Sequence, residues 1–242
     1  MSRGPTIRAR RRAADGAIDK RAVFVGHPLF GSLPASDVER LVAYARVERF
    51  RRGGAIFHKG DEGTGLMAVL AGQVKISVPS VDGKEAVLNV IQAGSVFGEI
   101  ALLDGRPRTA DAVAMTDCDL LVLDRREFVP MLRDHPELAL RLLELLCARL
   151  RRTSEQVEDM LFLDLAARLA KSLLRLSRDL KSTTISITQK DLGQMVGLSR
   201  ESTNKQLRAW ERRGWVKLVK GGVALTDVEA LSEIAAADED EE

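Results

Sequence analysis

The apolar positions of the chain change period near its middle. From about Phe24 to Phe128 they fall in short runs: Ala55 to Phe57, Leu66 to Leu70, Val74 to Val78, Glu85 to Ile91, Ala110 to Ala114 and Leu120 to Leu123. Gly60, Gly63, Gly72, Gly83, Gly94 and Gly98 separate them, and Asp82-Gly83 is a tight hairpin signal. Many short strands at this spacing predict an antiparallel barrel or double-sheet jelly roll, whose interior can hold one small ligand.

After Phe128 the period becomes helical. Asp134-His135-Pro136-Glu137 opens a helix running to about Leu163, with Pro136 suited to its first turn. Leu143, Leu146, Leu150, Thr153, Val157 and Met160 fall at alternating steps of three and four, a heptad seam that predicts a two-helix dimer interface. Leu138, Leu142 and Leu145 form a second stripe, available for packing on the barrel. The chain is helical again from about Asp164. Thr188-Gln189-Lys190-Asp191 then has the spacing of a capping box, followed by Leu192, Met195 and Val196 on one helix face. Gly197 turns the chain, Ser199 caps, and a second helix runs from Arg200 to about Arg213, which is a helix-turn-helix pattern. Gly214 to Val219 and Val223 to Leu225, joined through Lys220-Gly221-Gly222, predict a small hairpin, a wing.

The expected fold class is therefore α+β. A β jelly-roll domain spans residues 24–133, a long dimerisation helix 134–163 and a winged helix-turn-helix 164–236, although 242 residues would also suit one large domain. The formal charge of +2 says little, but its distribution says more. Arg3, Arg8, Arg10, Arg11 and Arg12 make residues 1–23 a basic arm, and residues 237–242 end in the acidic run Asp238 to Glu242. Both ends read as solvated, disordered segments, with a DNA-touching role for the arm as the alternative. No apolar run reaches the roughly 18 residues of a membrane span, and no apolar stretch follows the N-terminal arginines, so a cytoplasmic location without a membrane partner is expected.

Cys118 and Cys147 are far apart with no His or Cys at metal spacing, and both read as core packing; His27, His58 and His135 are scattered. Neither a metal, a haem nor an iron–sulfur cluster is expected.

The chemistry concentrates in Val96 to Ala110. Gly98 allows close backbone approach, and Ile100 to Leu103 would form a helical turn whose N–H groups point at an anion. Arg108 supplies a guanidinium that forks onto two phosphate oxygens, Thr109 adds a hydroxyl and an amide, and Glu99 can accept a ribose 2′-hydroxyl proton. Together they suit a cyclic phosphodiester. The alternative is a structural Glu99–Arg108 ion pair with Gly98 and Gly105 as turn glycines, but one carboxylate does not use up the five donors of an inward-facing arginine. Thr153, in the seam, and Ser154 beside it carry hydroxyls that need partners, either a purine base or their own helix carbonyls.

In the C-terminal third, Arg200, Glu201, Asn204 and Lys205 fall within roughly 140° on a helical wheel, opposite Thr203, Leu207 and Trp210. Arginine forks onto guanine and glutamate accepts from cytosine in the major groove. Thr188, Ser199 and Ser202, at the starts of the two helices, join them as candidate DNA contacts. A charged helix face is otherwise a solvated surface.

These residues resemble the bacterial CRP/FNR transcription regulators from about Phe24 to Ala235, most closely the cyclic-AMP receptor branch. The resemblance implies that Gly98, Glu99, Arg108 and Thr109 hold the ribose and cyclic phosphate, and that Thr153-Ser154, within Arg152-Thr153-Ser154-Glu155, contacts adenine, one hydroxyl coming from the other subunit. It implies that Arg149 links the long helix to the cassette carboxylate. It also implies that Ser199-Arg200-Glu201 reads the G and C of TGTGA-like half-sites. Two departures stand out: Lys205 replaces an arginine, and Thr203-Asn204 replaces a smaller, less polar pair. A lysine cannot fork, so the outer part of the half-site would be read differently. The resemblance implies a homodimer that binds double-stranded DNA, has no enzymatic activity, takes cAMP as effector with cGMP as competitor, and engages RNA polymerase where it activates. A hinge near Leu163-Asp164 would carry the signal. The rivals are a nucleotide-controlled enzyme or transport subunit and a nucleotide-independent regulator.

Overall fold

The short apolar runs of the first half form two four-stranded sheets. One has the order β1 (Arg46–Phe50), β8 (Cys118–Asp124), β3 (Gly65–Ala71), β6 (Val96–Phe97); the other has the order β2 (Ala55–Phe57), β7 (Asp111–Ala114), β4 (Gln73–Pro79), β5 (Glu85–Gln92). The computed structural model describes residues 19–80 and 84–236. Two units divide the chain, Met1–Val78 with Val90–Leu146, and Pro79–Asn89 with Cys147–Glu242.

In the first unit the two-residue strand period sorts side chains into two cores. Met67 and Val69 of β3 and Leu120 and Val122 of β8 pack with Ile56, Val74, Phe97 and Ala112. Their neighbours Leu66, Ala68, Leu121 and Leu123 point the other way, against Phe24, Phe30, Leu41 and Phe128. Both faces of β3 and β8 are thus covered, which is why these strands read as unbroken apolar runs. Each fully buried Leu or Phe contributes about 1.5–3 kcal/mol. The second core is supplied by helices α1 (Lys20–Gly26), α2 (Ala35–Tyr44), α4 (Arg125–Asp134) and α5 (Pro136–Phe162). Leu138 and Leu142 of α5 are buried there with Leu145 packed alongside, as the second stripe predicted.

Asp19 caps α1 by accepting from the Ala22 N–H at 3.1 Å, so residues 20–23, expected in the basic arm, are helical. The rest of the arm, the acidic tail and the Asp82-Gly83 turn lie outside the described residues. The heptad seam of α5 is uncovered in the single chain, with Leu150 68% exposed and Leu143, Val157 and Met160 each half exposed or more.

One cysteine departs from expectation. Cys118 is buried, its thiol donating to the Gln73 carbonyl at 3.2 Å and its pKa raised by desolvation, which leaves it inert. Cys147 is exposed. It sits about 140° around α5 from Leu142, off the packing stripe.

In the second unit α6 (Leu165–Leu180) is capped by Asp164, which accepts from the Ala167 N–H at 2.7 Å. Then come β9 (Thr184–Ile185), α7 (Gln189–Val196), α8 (Arg200–Arg212), β10 (Val216–Val219), β11 (Gly222–Leu225) and α9 (Val228–Ala236). The wing is wider than the predicted hairpin: β9 adds a third strand beside β11. Its turn is also tighter, because Gly222 already pairs with Val219 and a Cβ there would overlap the Ile185 carbonyl.

Candidate nucleotide and DNA sites

Strand β6 runs into Gly98, whose φ of +84° starts α3 (Glu99–Asp104); Gly105, at φ +71°, ends it. A Cβ on Gly98 would stand 2.6 Å from Nη1 of Arg108, so both backbone conformation and space require glycine there. Arg108 is 5% exposed. Its Nη1 donates to the Gly98 carbonyl and its Nη2 to the Gly65 carbonyl, each at 2.8 Å. Neutral carbonyls orient the guanidinium without cancelling its charge. Its Nε is buried with no partner among the described residues. Burial pulls the arginine pKa down while the charges of Glu99 and Asp61 oppose that pull. Glu99 is itself buried, whereas Ile100 and Thr109 are exposed. In the first turn of α3 the N–H groups have no helical carbonyl to reach. Charge, donors and a buried unpartnered N–H therefore fit a small anion.

Three features of this site escaped the sequence reading. Phe57 lies beneath the guanidinium, 4.3 Å from ring centroid to Cζ. Asp61 accepts the Arg108 N–H through its carbonyl at 2.8 Å, and the Arg108 carbonyl accepts from Gly60 at 2.9 Å. Gly63 lets the loop pass α3 so closely that a Cβ would overlap that of Ala101. The signal is the crowding of Gly60, Gly63 and Gly65, of which the sequence reading takes Gly60 and Gly63 only as strand punctuation and does not single out Gly65.

Gly98, Glu99, Ile100, Arg108 and Thr109 belong to the first unit, and Arg149, Thr153 and Ser154 lie on α5 in the second. Thr153 Oγ1 donates to the Arg149 carbonyl at 3.0 Å and Ser154 Oγ to the Leu150 carbonyl at 3.1 Å. Both hydroxyl protons are thus spent within the helix, and what each hydroxyl offers outward is lone pairs.

The helix-turn-helix is built from caps and one tight crossing. Thr188 Oγ1 accepts from the Asp191 N–H at 3.0 Å and donates to the Asp191 carboxylate at 2.6 Å. Ser199 accepts from the Ser202 N–H at 3.0 Å and donates to the Ser202 hydroxyl at 3.0 Å. Thr203, Leu207 and Trp210 are buried, while Arg200, Glu201, Ser202 and Lys205 are exposed and Asn204 partly so. The polar and anchoring faces therefore separate as the wheel predicted. Two further residues were missed. A Cβ on Gly193 would stand 2.6 Å from Thr203 Oγ1 and 2.8 Å from the Leu198 carbonyl, so glycine permits the crossing of α7 and α8. Glu211 accepts from the Leu218 N–H of β10 and from Arg208, each at 2.9 Å, tying α8 to the wing; these bonds hold its pKa low.

Residues 47–135 match the cyclic nucleotide-binding domain family, and residues 167–234 match the Crp-like helix-turn-helix domain family. The CRP-like cAMP-activated global transcriptional regulator of Mycobacterium tuberculosis is 33% identical over 211 residues, 84% of this chain and 94% of its own length. The chain belongs to the CRP/FNR family of transcription regulators. A second relative of this CRP/FNR regulator, the cyclic AMP receptor protein of Thermus thermophilus, is 33% identical over 210 residues, 87% of this chain and 97% of its own. A solved CRP/FNR family regulator, also from Thermus thermophilus, superposes with a TM-score of 0.67 at 27% identity, covering 80% of this chain and all of that one. As a CRP/FNR regulator the protein carries a cyclic nucleotide-binding domain and a DNA-binding helix-turn-helix, and the family's members regulate transcription rather than catalyse reactions. Among the described residues no helix is long and apolar enough to cross a membrane, and no His, Cys, Asp and Glu group is arranged to hold a metal ion.

Proposed function

We propose that this regulator acts in the cytoplasm as a cAMP-responsive homodimer, binding a palindromic operator through the major groove. The observation that carries the reading is Arg108, buried with its terminal nitrogens on two backbone carbonyls and its Nε unpartnered among the described residues. In this reading the cyclic phosphate bonds Arg108 and the α3 first turn, and Glu99 accepts from the ribose hydroxyl. The base meets Thr153 and Ser154, whose outward lone pairs suit the exocyclic amine of adenine better than the O6 acceptor of guanine. The names of the Mycobacterium and Thermus relatives support the same nucleotide.

The exposed seam of α5 would pair with its copy, and the two recognition helices would then enter successive major grooves about 34 Å apart. Arg200 reads guanine, Glu201 reads cytosine, and Thr188, Ser199, Ser202, Asn204 and Lys205 contact the flanking backbone and bases. As an activator the dimer would also engage RNA polymerase. A tenfold change in DNA affinity needs only about 1.4 kcal/mol of differential nucleotide binding.

The test is operator binding by fluorescence anisotropy with no nucleotide, with cAMP and with cGMP, alongside calorimetry on the wild type and Arg108→Leu. The expected result is tighter DNA binding with cAMP than with cGMP, and loss of nucleotide binding in Arg108→Leu. Equal operator affinity under all three conditions would overturn the reading.

A further inference from the structure

The elbow between α5 and α6 is short. Helix α5 ends at Phe162 and α6 begins at Leu165, where the sequence reading places a hinge near Leu163-Asp164. The side chains across it are charged and paired. Asp159 meets Lys171 at 2.8 Å, and Arg152 meets Asp179 at 2.9 Å. Seven residues separate the two α5 members and eight the two α6 members, so the pairs are successive rungs of one antiparallel ladder.

Arg175 stands between the rungs, one turn from both Lys171 and Asp179 along α6; burial and the like charge of Arg152 lower its pKa, while the carboxylates of Asp159, Asp179 and Glu155 oppose them. Asp159 is nearly buried, at 9% exposure. The Nε atoms of Arg152 and Arg175 are buried and unpartnered among the described residues. Packed apolar side chains would hold two helices together more cheaply, because charges in low dielectric repay their desolvation only in good geometry. What a charged ladder adds is a preferred register. Rungs two turns apart on each helix define the angle and sliding of α6 on α5, whereas an apolar contact tolerates both.

The ladder also starts where the nucleotide reading ends. Arg152 directly precedes Thr153 and Ser154, and Glu155 directly follows them. We propose that Arg152, Asp159, Lys171, Arg175 and Asp179 form a coupling ladder that carries a change at the Thr153-Ser154 turn of α5 into α6, and through it to the DNA-binding helices. This rests on the cAMP-responsive reading above and assigns it a transmitting element. The five side chains are positioning residues; none needs to touch nucleotide or DNA.

The test compares wild type with Asp159→Asn, Arg175→Met, the milder Asp179→Asn, and the charge exchange Asp159→Lys with Lys171→Asp. For each, cAMP affinity is measured by calorimetry, operator affinity with and without cAMP by anisotropy, and stability by thermal melting. The ladder predicts near-wild-type cAMP affinity in every variant, but a ratio of operator affinities with and without cAMP that falls by about 2–30-fold in the three single variants. The charge exchange should restore most of the ratio. Variants that melt earlier yet keep the wild-type ratio overturn the ladder and leave the cAMP reading standing, with Asp179→Asn decisive if the buried variants fail to fold. A wild type with no cAMP response overturns both.

Discussion

The guanidinium of Arg108 lies over the ring of Phe57, 4.3 Å from its centroid, while its two terminal nitrogens reach the carbonyls of Gly98 and Gly65. The ring holds the cation flat and fixes which edge faces outward. A desolvated cation–π contact of this kind is worth about 1–2 kcal/mol. Phe57→Leu should therefore weaken cAMP binding by about 5–30-fold in calorimetry while the domain stays folded. An unchanged dissociation constant would remove the ring from the site.

Base reading and phosphate anchoring separate at α8. Arg200→Ala should cost about 1–3 kcal/mol on the specific operator and less on random DNA. Lys205→Arg should sharpen discrimination at the outer position of the half-site, because a guanidinium forks and an ammonium does not. Competition anisotropy over single-base operator variants reads both effects, and equal losses of Arg200→Ala on specific and random DNA would exclude it as a base reader.

The α7–α8 crossing has no room for a methyl group at Gly193, since Thr203 Oγ1 and the Leu198 carbonyl would stand 2.6 and 2.8 Å from it. Gly193→Ala should cost about 1–3 kcal/mol and lower the melting temperature by a few degrees, with nucleotide affinity unchanged. Adding Thr203→Ala should recover part of the loss, as it removes one of the two clashes. A melting curve superimposable on the wild type would show that the helices separate freely.

His27 is buried beside Phe30 at 5.0 Å between centroids, its Nδ1 accepting from the Leu29 N–H, and burial lowers its pKa below the ordinary 6.5. The fold favours the neutral ring. Its contribution to stability is complete above about pH 6.5 and is lost as the pH falls from there through the lowered folded value. Denaturant melts between pH 7.5 and 5 should show this loss in the wild type and a flatter profile in His27→Phe. Identical slopes would assign the acid sensitivity to other groups.

Much of this was legible in the chain before any coordinates. Leu138 and Leu142 announced the buried stripe of α5, and Thr203, Leu207 and Trp210 the anchored face of α8, because helical period alone separates such faces. Cys147 misled, since its leucine-rich neighbours mattered less than its angle around the helix. Strand β9 is two residues long and carries no periodic signal; only the pairing of Ile185 with Val223 and of Thr184 with Ala224 makes it a strand. Helix α1 was hidden by the arginines around it, though Asp19 caps it in the ordinary way.

Caps, turns and periods act over a few residues, so the change from short strands to the long helix, the cassette stretch and the exposed face of α8 were written in the sequence. The partners of Arg108 were not. Gly65 lies 43 residues from it and Phe57 is on strand β2, just as Arg152 meets Asp179 from 27 residues away. Such contacts depend on how sheets and helices close on one another, and only the packed chain decides which distant groups share a burial site and therefore which charges must be balanced there.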